Sequence, residues 1–195
     1  ISKNIEHLNA ISTFEHVEDF ETFNTIMSTN LVNGWYNEIG TDIEWQAAKF
    51  TPTGDTGPTN DNTSGTGNFI YVESSFEGEG FPSKTAKVVS PCFDVSALTN
   101  PTLEFWYHMQ SDRDPEGDRM GSLAIDVYDG VWHNAVWTMS GHQGSDWIRN
   151  TISLNGYNKV LKVRFSAVTG DFQTSDIAID DVKVFNGPQI DVEVT

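Results

Sequence analysis

Residues 176–185 read DIAIDDVKVF. Ile177, Ile179, Val182, Val184 and Phe185 suit a core β-strand, yet Asp180 and Asp181 interrupt them side by side. Successive side chains of a strand point to opposite faces, so one of the two carboxylates points inward. A buried carboxylate is costly unless it is hydrogen-bonded, paired with a cation or bound to a metal. The stretch thus predicts a strand and asks what satisfies its acids.

Working outward, most periodic segments alternate with period two between Gly, Asn, Asp or Pro, which is strand grammar. Strands are predicted over 68–75, 84–91, 102–109, 121–130, 133–140, 146–154, 158–168 and 175–185, with weaker signals at 20–23, 34–39 and 43–50. The Asp-Gly of YDGVW (128–132) and the Asn-Gly of LNGYN (154–158) are hairpin signals. Only residues 1–12 and ETFNTIMSTN (21–30) could hold a helical turn. The pattern predicts an all-β protein, an antiparallel two-sheet β-sandwich of jelly-roll type. The domain is expected over 14–187, with 1–13 an N-terminal extension or linker and 188–195 a C-terminal linker.

Residues 51–68, TPTGDTGPTNDNTSGTGN, carry almost no apolar side chain. A loop of that length in a small domain is usually functional or disordered, and this one is rich in oxygen donors, Asp55, Asp61, Asn62 and Thr63 among them.

The 195 residues suit one domain, and 12% aromatics supply a core. With 28 acidic against 11 basic residues the net charge is −17, which makes nucleic acid and anionic membranes poor partners. The single cysteine, Cys92, excludes an internal disulfide and reads as a buried thiol. No apolar run reaches membrane-spanning length, so no membrane insertion is expected. The start at Ile1 and the strand-like end QIDVEVT suggest a piece of a longer chain.

The runs DFE (19–21), GW (34–35), DIEW (42–45), GPTNDNTSGTGNFIYVESS (57–75), SPCFD (90–94), LEFWYHM (103–109), GSLAIDVY (121–128), WTMSGHQGSDW (137–147), KVRFSAVTG (162–170) and DIAIDDV (176–182) follow one another in the order and approximate spacing of a MAM domain. The chain resembles that family from about Asp19 to Phe185. The resemblance implies an extracellular jelly-roll sandwich, non-catalytic, used for adhesion or recognition. Vertebrate members carry paired cysteines that are absent here, and the loop QSDRDPEGDRM (110–120) is longer than usual. Both point to a secreted bacterial relative. The partner would be an extracellular protein or a polysaccharide, with neighbouring domains in the same chain. The alternatives are a carbohydrate-binding module of a polysaccharide-degrading enzyme, or an accessory domain of a secreted protease.

The resemblance also offers an answer for the aspartate pair, because several such jelly rolls hold a structural Ca²⁺. Carried over, the ligands would be Glu21, Asp61 and Asp180 or Asp181, with Glu15 a rival for Glu21. Ca²⁺ takes about 6–8 oxygen ligands, and loop 51–68 has carbonyls to offer. The competing explanation is that Asp180 and Asp181 satisfy backbone N–H groups at a β-bulge. There is no zinc-type cluster, HExxH, GxSxG or phosphate loop. His108 and His142 read as structural.

Trp35, Trp45, Trp106, Trp137 and Trp147 fall on family positions and are expected in the core, Trp106 and Trp137 fully buried. Trp132, beside His133, follows a turn outside the family pattern. These two are the candidate ligand platform, and Trp132 is expected to be the most exposed tryptophan.

Overall fold

Twelve strands make up the described part of the chain, residues 9–24, 28–111 and 119–188 of a computed structural model. One sheet holds β1 (His16–Glu18), β3 (Gln46–Ala48), β4 (Phe69–Val72), β7 (Pro101–Met109), β10 (Ile148–Ser153) and β12 (Ile177–Asn186). Its order is β10-β7-β12-β4-β3, with β1 also on β12. The second holds β2 (Tyr36–Asn37), β5 (Thr85–Val89), β6 (Phe93–Asp94), β8 (Ser122–Tyr128), β9 (Trp132–Ser140) and β11 (Val160–Val168), in the order β2-β5-β11-β8-β9 with β6 on β11. Every one of these pairings is antiparallel. The fold is the expected jelly-roll sandwich.

The alternation builds the core directly. In β7, Leu103, Phe105, Tyr107 and Met109 turn inward, and β11 answers with Leu161, Val163, Phe165 and Ala167. The rings of Phe105 and Phe165 meet edge to face at 5.3 Å across the sheets, a favoured aromatic geometry.

All eight strongly signalled strands are present, with shifted ends. Residues 20–23 instead form a turn: Phe23 donates its N–H to Phe20 O at 2.9 Å, and both rings plunge into the core. The hairpin expected at LNGYN is absent, because β10 pairs with β7 while β11 pairs with β5 and β8. Gly156, at φ 93°, turns the chain between sheets there. The Asp-Gly signal does join a hairpin, with Tyr128 opposite Trp132. Four expectations rest in part on residues outside those described: the extension 1–13, the linker 188–195, the long loop 110–120, and helical turns within 1–12 and 21–30. Within the first, Ile11 bridges to Phe93.

Trp106 is half-buried, not buried, since the alternation that sends Phe105 and Tyr107 inward sends it outward. Trp137 is half-buried on edge strand β9, its ring 5.4 Å from both Phe105 and Tyr107. Cys92 is likewise half-buried.

Antiparallel sheets commonly leave one face to water, yet Phe69–Val72 and Ile177–Asp180 are buried at every position. Loop 51–68 explains this. It lies over the outer face, where Ala48, Phe69, Tyr71 and Ala178 form a second apolar cluster with Trp147. Trp147 Nε1 donates to Asn60 O at 3.0 Å, so the loop is fixed by polar bonds rather than apolar side chains.

Candidate functional site

Strand β12 changes partners at the aspartate pair. Up to Ile179 it is flanked by β4, and from Val182 onward by β1. On its other side β7 runs the whole length, with a register shift between Asp180 and Lys183. This is a β-bulge, and Asp181 adopts φ 47° within it. The bulge aims Asp180 into the gap between β4 and β1.

Loop 51–68 fills that gap. Asp180 Oδ2 accepts the Asn62 N–H at 2.9 Å, and Oδ1 accepts the Asp181 N–H at 2.8 Å. Asp181 Oδ2 accepts from Asn62 Nδ2 at 2.7 Å and from the Thr63 hydroxyl. Asp61 is buried and takes the N–H groups of Ser64 and Gly67, both at 2.8 Å, with the Ser64 hydroxyl at 3.0 Å. Glu21 Oε1 accepts the Asn68 N–H at 3.0 Å. The bulge explanation is therefore visible in the hydrogen bonds.

A cleft of about 400 Å³ opens where these groups meet, and it is lined by Asp19, Glu21, Asp61, Asp180 and Asp181. All four sequence-predicted acids converge on it, and both aspartates of the pair line it. Glu15 does not: its Oε2 pairs with Lys183 Nζ at 2.6 Å. Asp19 is an addition that the sequence reading missed. Its signal was its place two residues before Glu21 in DFE.

Gly67 shows how tightly the acids are drawn in. A Cβ there would lie 1.8 Å from Glu21 Oε1 and 2.8 Å from Asp61 Oδ2. Only a glycine lets both carboxylates reach this point. Burial pushes the Asp180 carboxyl up to about 8, against the Asn62 N–H, and the charges of Asp181 and Asp61 push the same way. For Asp61 burial also acts upward, but its N–H donors outweigh it and hold the carboxyl below its usual range. No ion pair among the described residues reaches these acids. Nor do three His, Cys, Asp or Glu side chains among those residues already converge as a finished metal shell.

The Trp132 and His133 pair sits elsewhere, on the second sheet. Trp132 is half-buried as the first residue of β9 rather than standing free on a turn. The Arg164 guanidinium lies 3.9 Å from its ring centroid, and Tyr128 packs at 5.2 Å. His133 Nε2 bonds Asp129 Oδ1 at 2.9 Å. Beneath Trp132, buried Arg164 binds Asp126 Oδ2 at 2.8 Å and both Glu38 oxygens, at 2.9 and 3.1 Å. His108 is buried with Nε2 on Ser145 O at 3.1 Å, and His142 Nδ1 accepts the Ser111 N–H, so both are structural.

The described residues form a jelly-roll sandwich whose polar loop is anchored by buried acids. The chain belongs to the MAM family: the model for the MAM domain, meprin/A5/mu, matches residues 19–188. Neuropilin-1a of Danio rerio is 35% identical over 159 residues, 78% of this chain, and the chain spans only 16% of that relative. In three dimensions it resembles the K1 cleaved adhesin domain of Lys-gingipain from Porphyromonas gingivalis W83, with a TM-score of 0.58 at 14% identity over 90% of this chain and 100% of that one. It also resembles TmCBM61 in complex with β-1,4-galactotriose, with a TM-score of 0.50 at 12% identity over 80% and 90%. The structural likenesses establish the fold, and the family makes the domain a non-catalytic, adhesion-type module.

Proposed function

We propose that this domain is a recognition and adhesion module of a longer secreted or cell-surface protein of bacterial origin, held together by a structural calcium ion. The observation that carries the calcium is the cleft itself, lined by five carboxylates without a pairing cation among the described residues. Glu21, Asp61, Asp180 and Asp181 would hold the ion. The donor set is all oxygen, which suits Ca²⁺ rather than a transition metal. Asp180 Oδ1 and Oδ2 and Glu21 Oε1 each accept a single hydrogen bond, which leaves each of them a lone pair for a metal. When bound, the ion would supply positive charge that the site lacks, tying the DFE segment, loop 51–68 and the last strand together.

The recognition role rests on the family match. The bacterial assignment is supported by the single cysteine in place of paired ones. No helix among the described residues is long and apolar enough to cross a membrane. Binding of the immobilised domain to panels of extracellular proteins and polysaccharides, with calcium and with EDTA, tests the role. Saturable, calcium-dependent retention of a protein ligand supports it.

A second reading, carbohydrate binding, has its own observation. The outer face of the second sheet carries Tyr36, 45% exposed, with Lys162 Nζ 5.9 Å from its ring, and then the Tyr128–Trp132 pair. Retention by polysaccharides alone, lost in Trp132→Ala, would favour it.

A further inference from the structure

A second buried acid lies four residues before Asp180, immediately ahead of β12. Asp176 is fully buried. Its Oδ1 is satisfied twice, by the Ser74 N–H at 2.8 Å and the Ser74 hydroxyl at 2.9 Å. Its Oδ2 is a buried oxygen with no hydrogen-bond donor. One register step beyond the Ile177–Val72 pair, Asp176 stands opposite Glu73, and directly opposite residues of an antiparallel pair hold their Cβ atoms about 4.5–5.5 Å apart.

The remaining neighbours are neutral. Tyr71 OH donates to Glu73 Oε2 at 3.3 Å, and the Ser75 N–H to Oε1 at 2.9 Å. The Asp176 N–H donates to Thr56 Oγ1 at 2.9 Å, and that hydroxyl donates on to Gln110 O at 3.1 Å. No ion pair among the described residues reaches either acid. Two ionised carboxylates in contact inside a protein repel, and each favours the other's protonation. One proton resolves both faults at once: placed on Asp176 Oδ2, it gives that oxygen a bond to make and removes one of two like charges.

We propose that Asp176 and Glu73 form a one-proton acid pair, separate from the Asp180 cleft, that latches the Thr56 end of loop 51–68 to the sheet. The proton sits on Asp176 Oδ2 and is donated to the Glu73 carboxylate. Burial first, and then the Glu73 charge, raise the Asp176 carboxyl to about 8. Glu73 and the Tyr71 phenol are the titratable groups facing it from β4 and its extension. On its other sides Ser74 donates to its carboxylate and the Thr56 hydroxyl accepts its N–H. As pH rises through that midpoint the proton leaves, two buried negative charges remain in contact, and the Thr56 anchor loosens. The latch closes below the midpoint and opens above it.

The test uses the whole chain in EDTA, run in parallel on Asp180→Asn so that the Asp180 carboxyl, which burial also raises to about 8, does not contribute. Carbon-13 NMR follows the aspartate carboxyl carbons from about pH 5 to about pH 10. The Asp176 signal is expected to titrate near 8, and Glu73→Gln is expected to lower its midpoint by roughly one pH unit. Hydrogen exchange at Thr56 and Gly57, corrected for the intrinsic rate, should accelerate above the midpoint in the wild type and stay flat in Asp176→Asn. A midpoint in the ordinary carboxylate range overturns the proposal, as does exchange at Thr56 that ignores pH. Movement of the Asp176 signal on adding calcium to Asp180→Asn also overturns it, making the pair a cation site. If Asp176→Asn does not fold, the wild-type titration and Glu73→Gln still decide.

Discussion

Asn62 donates its backbone N–H to Asp180 Oδ2 at 2.9 Å, joining residues 118 positions apart in the chain. The bond closes the gap left where β12 exchanges β4 for β1, and it seats a loop without apolar side chains on a buried sheet face. Removing the carboxylate would leave the part-buried N–H groups of Asn62 and Asp181 unpaired, each at less than the cost of about 1–3 kcal/mol for a fully buried group. Asp180→Ala is therefore expected to destabilise the domain even in EDTA, as urea denaturation will measure. An unchanged midpoint would show that the loop is seated by something else.

Gly67 gives a sharper test of convergence. In Gly67→Ala the new methyl would overlap the Glu21 carboxylate and press on Asp61. One of the acids must move out of the cleft. Crowding of this kind typically costs about 1–3 kcal/mol, and calcium affinity should fall with it. Thermal melting with and without calcium measures both. A variant that melts and binds like the wild type would mean that the acids do not meet there.

Arg164 is the buried centre of the second sheet's outer face. Its Nε meets Asp126 Oδ2 at 2.8 Å, and Asp126 also accepts the Ser166 hydroxyl and the Ala135 N–H, each at 2.7 Å. Taking one partner from a buried pair commonly costs about 3–5 kcal/mol, because the other charge stays unpaired. Asp126→Ala is expected to fall in that range by chemical denaturation. It should also free Trp132, which fluorescence will report. A loss below about 1 kcal/mol would place the pair among ordinary surface ion pairs.

Acid sensitivity is expected from His108. Burial lowers its pKa from 6.5 to about 4, with the Ser145 carbonyl opposing. The folded state therefore holds the ring neutral while the unfolded state takes up a proton below about 6.5. Stability falls as pH drops from 6.5 towards 4 and is flat above 6.5 with respect to this group. At about 1.4 kcal/mol per pH unit the loss approaches roughly 3 kcal/mol. Denaturation of the wild type and His108→Gln between these limits measures it. Parallel pH profiles would exclude His108 as the cause.

The fold was legible because its strands carry their core residues at period two: Leu103, Phe105, Tyr107 and Met109 announce both β7 and its buried face. The same period, applied strictly, would have placed Trp106 outside. What failed depends on partners distant in sequence. LNGYN has hairpin residues, but whether β10 and β11 pair is settled by β7 and β5, which the turn does not encode. FETF reads as a strand because its phenylalanines are apolar, yet the positive φ of Phe20 makes it a turn. Glu21, Asp61, Asp180 and Asp181 came from the family resemblance, and the structure brings them to one cleft. Asp19 escaped notice although it stands two residues before Glu21 in DFE, and the Asp176–Glu73 pair escaped because strand pairing alone brings these two acids, far apart in the chain, to face each other.

Calcium in the Asp180 cleft is tested most directly by calorimetric titration of calcium into EDTA-stripped, dialysed protein, paired with thermal melting. A ligand at a hundredfold excess over Kd adds about 2.7 kcal/mol, which at this size is a rise of roughly 5–10 °C in Tm. Stoichiometric binding with that rise is expected in the wild type, and neither is expected in Asp180→Asn. A wild-type titration without heat, with melting curves that superimpose in calcium and in EDTA, would leave the bulge hydrogen bonds as the whole explanation of Asp180 and Asp181.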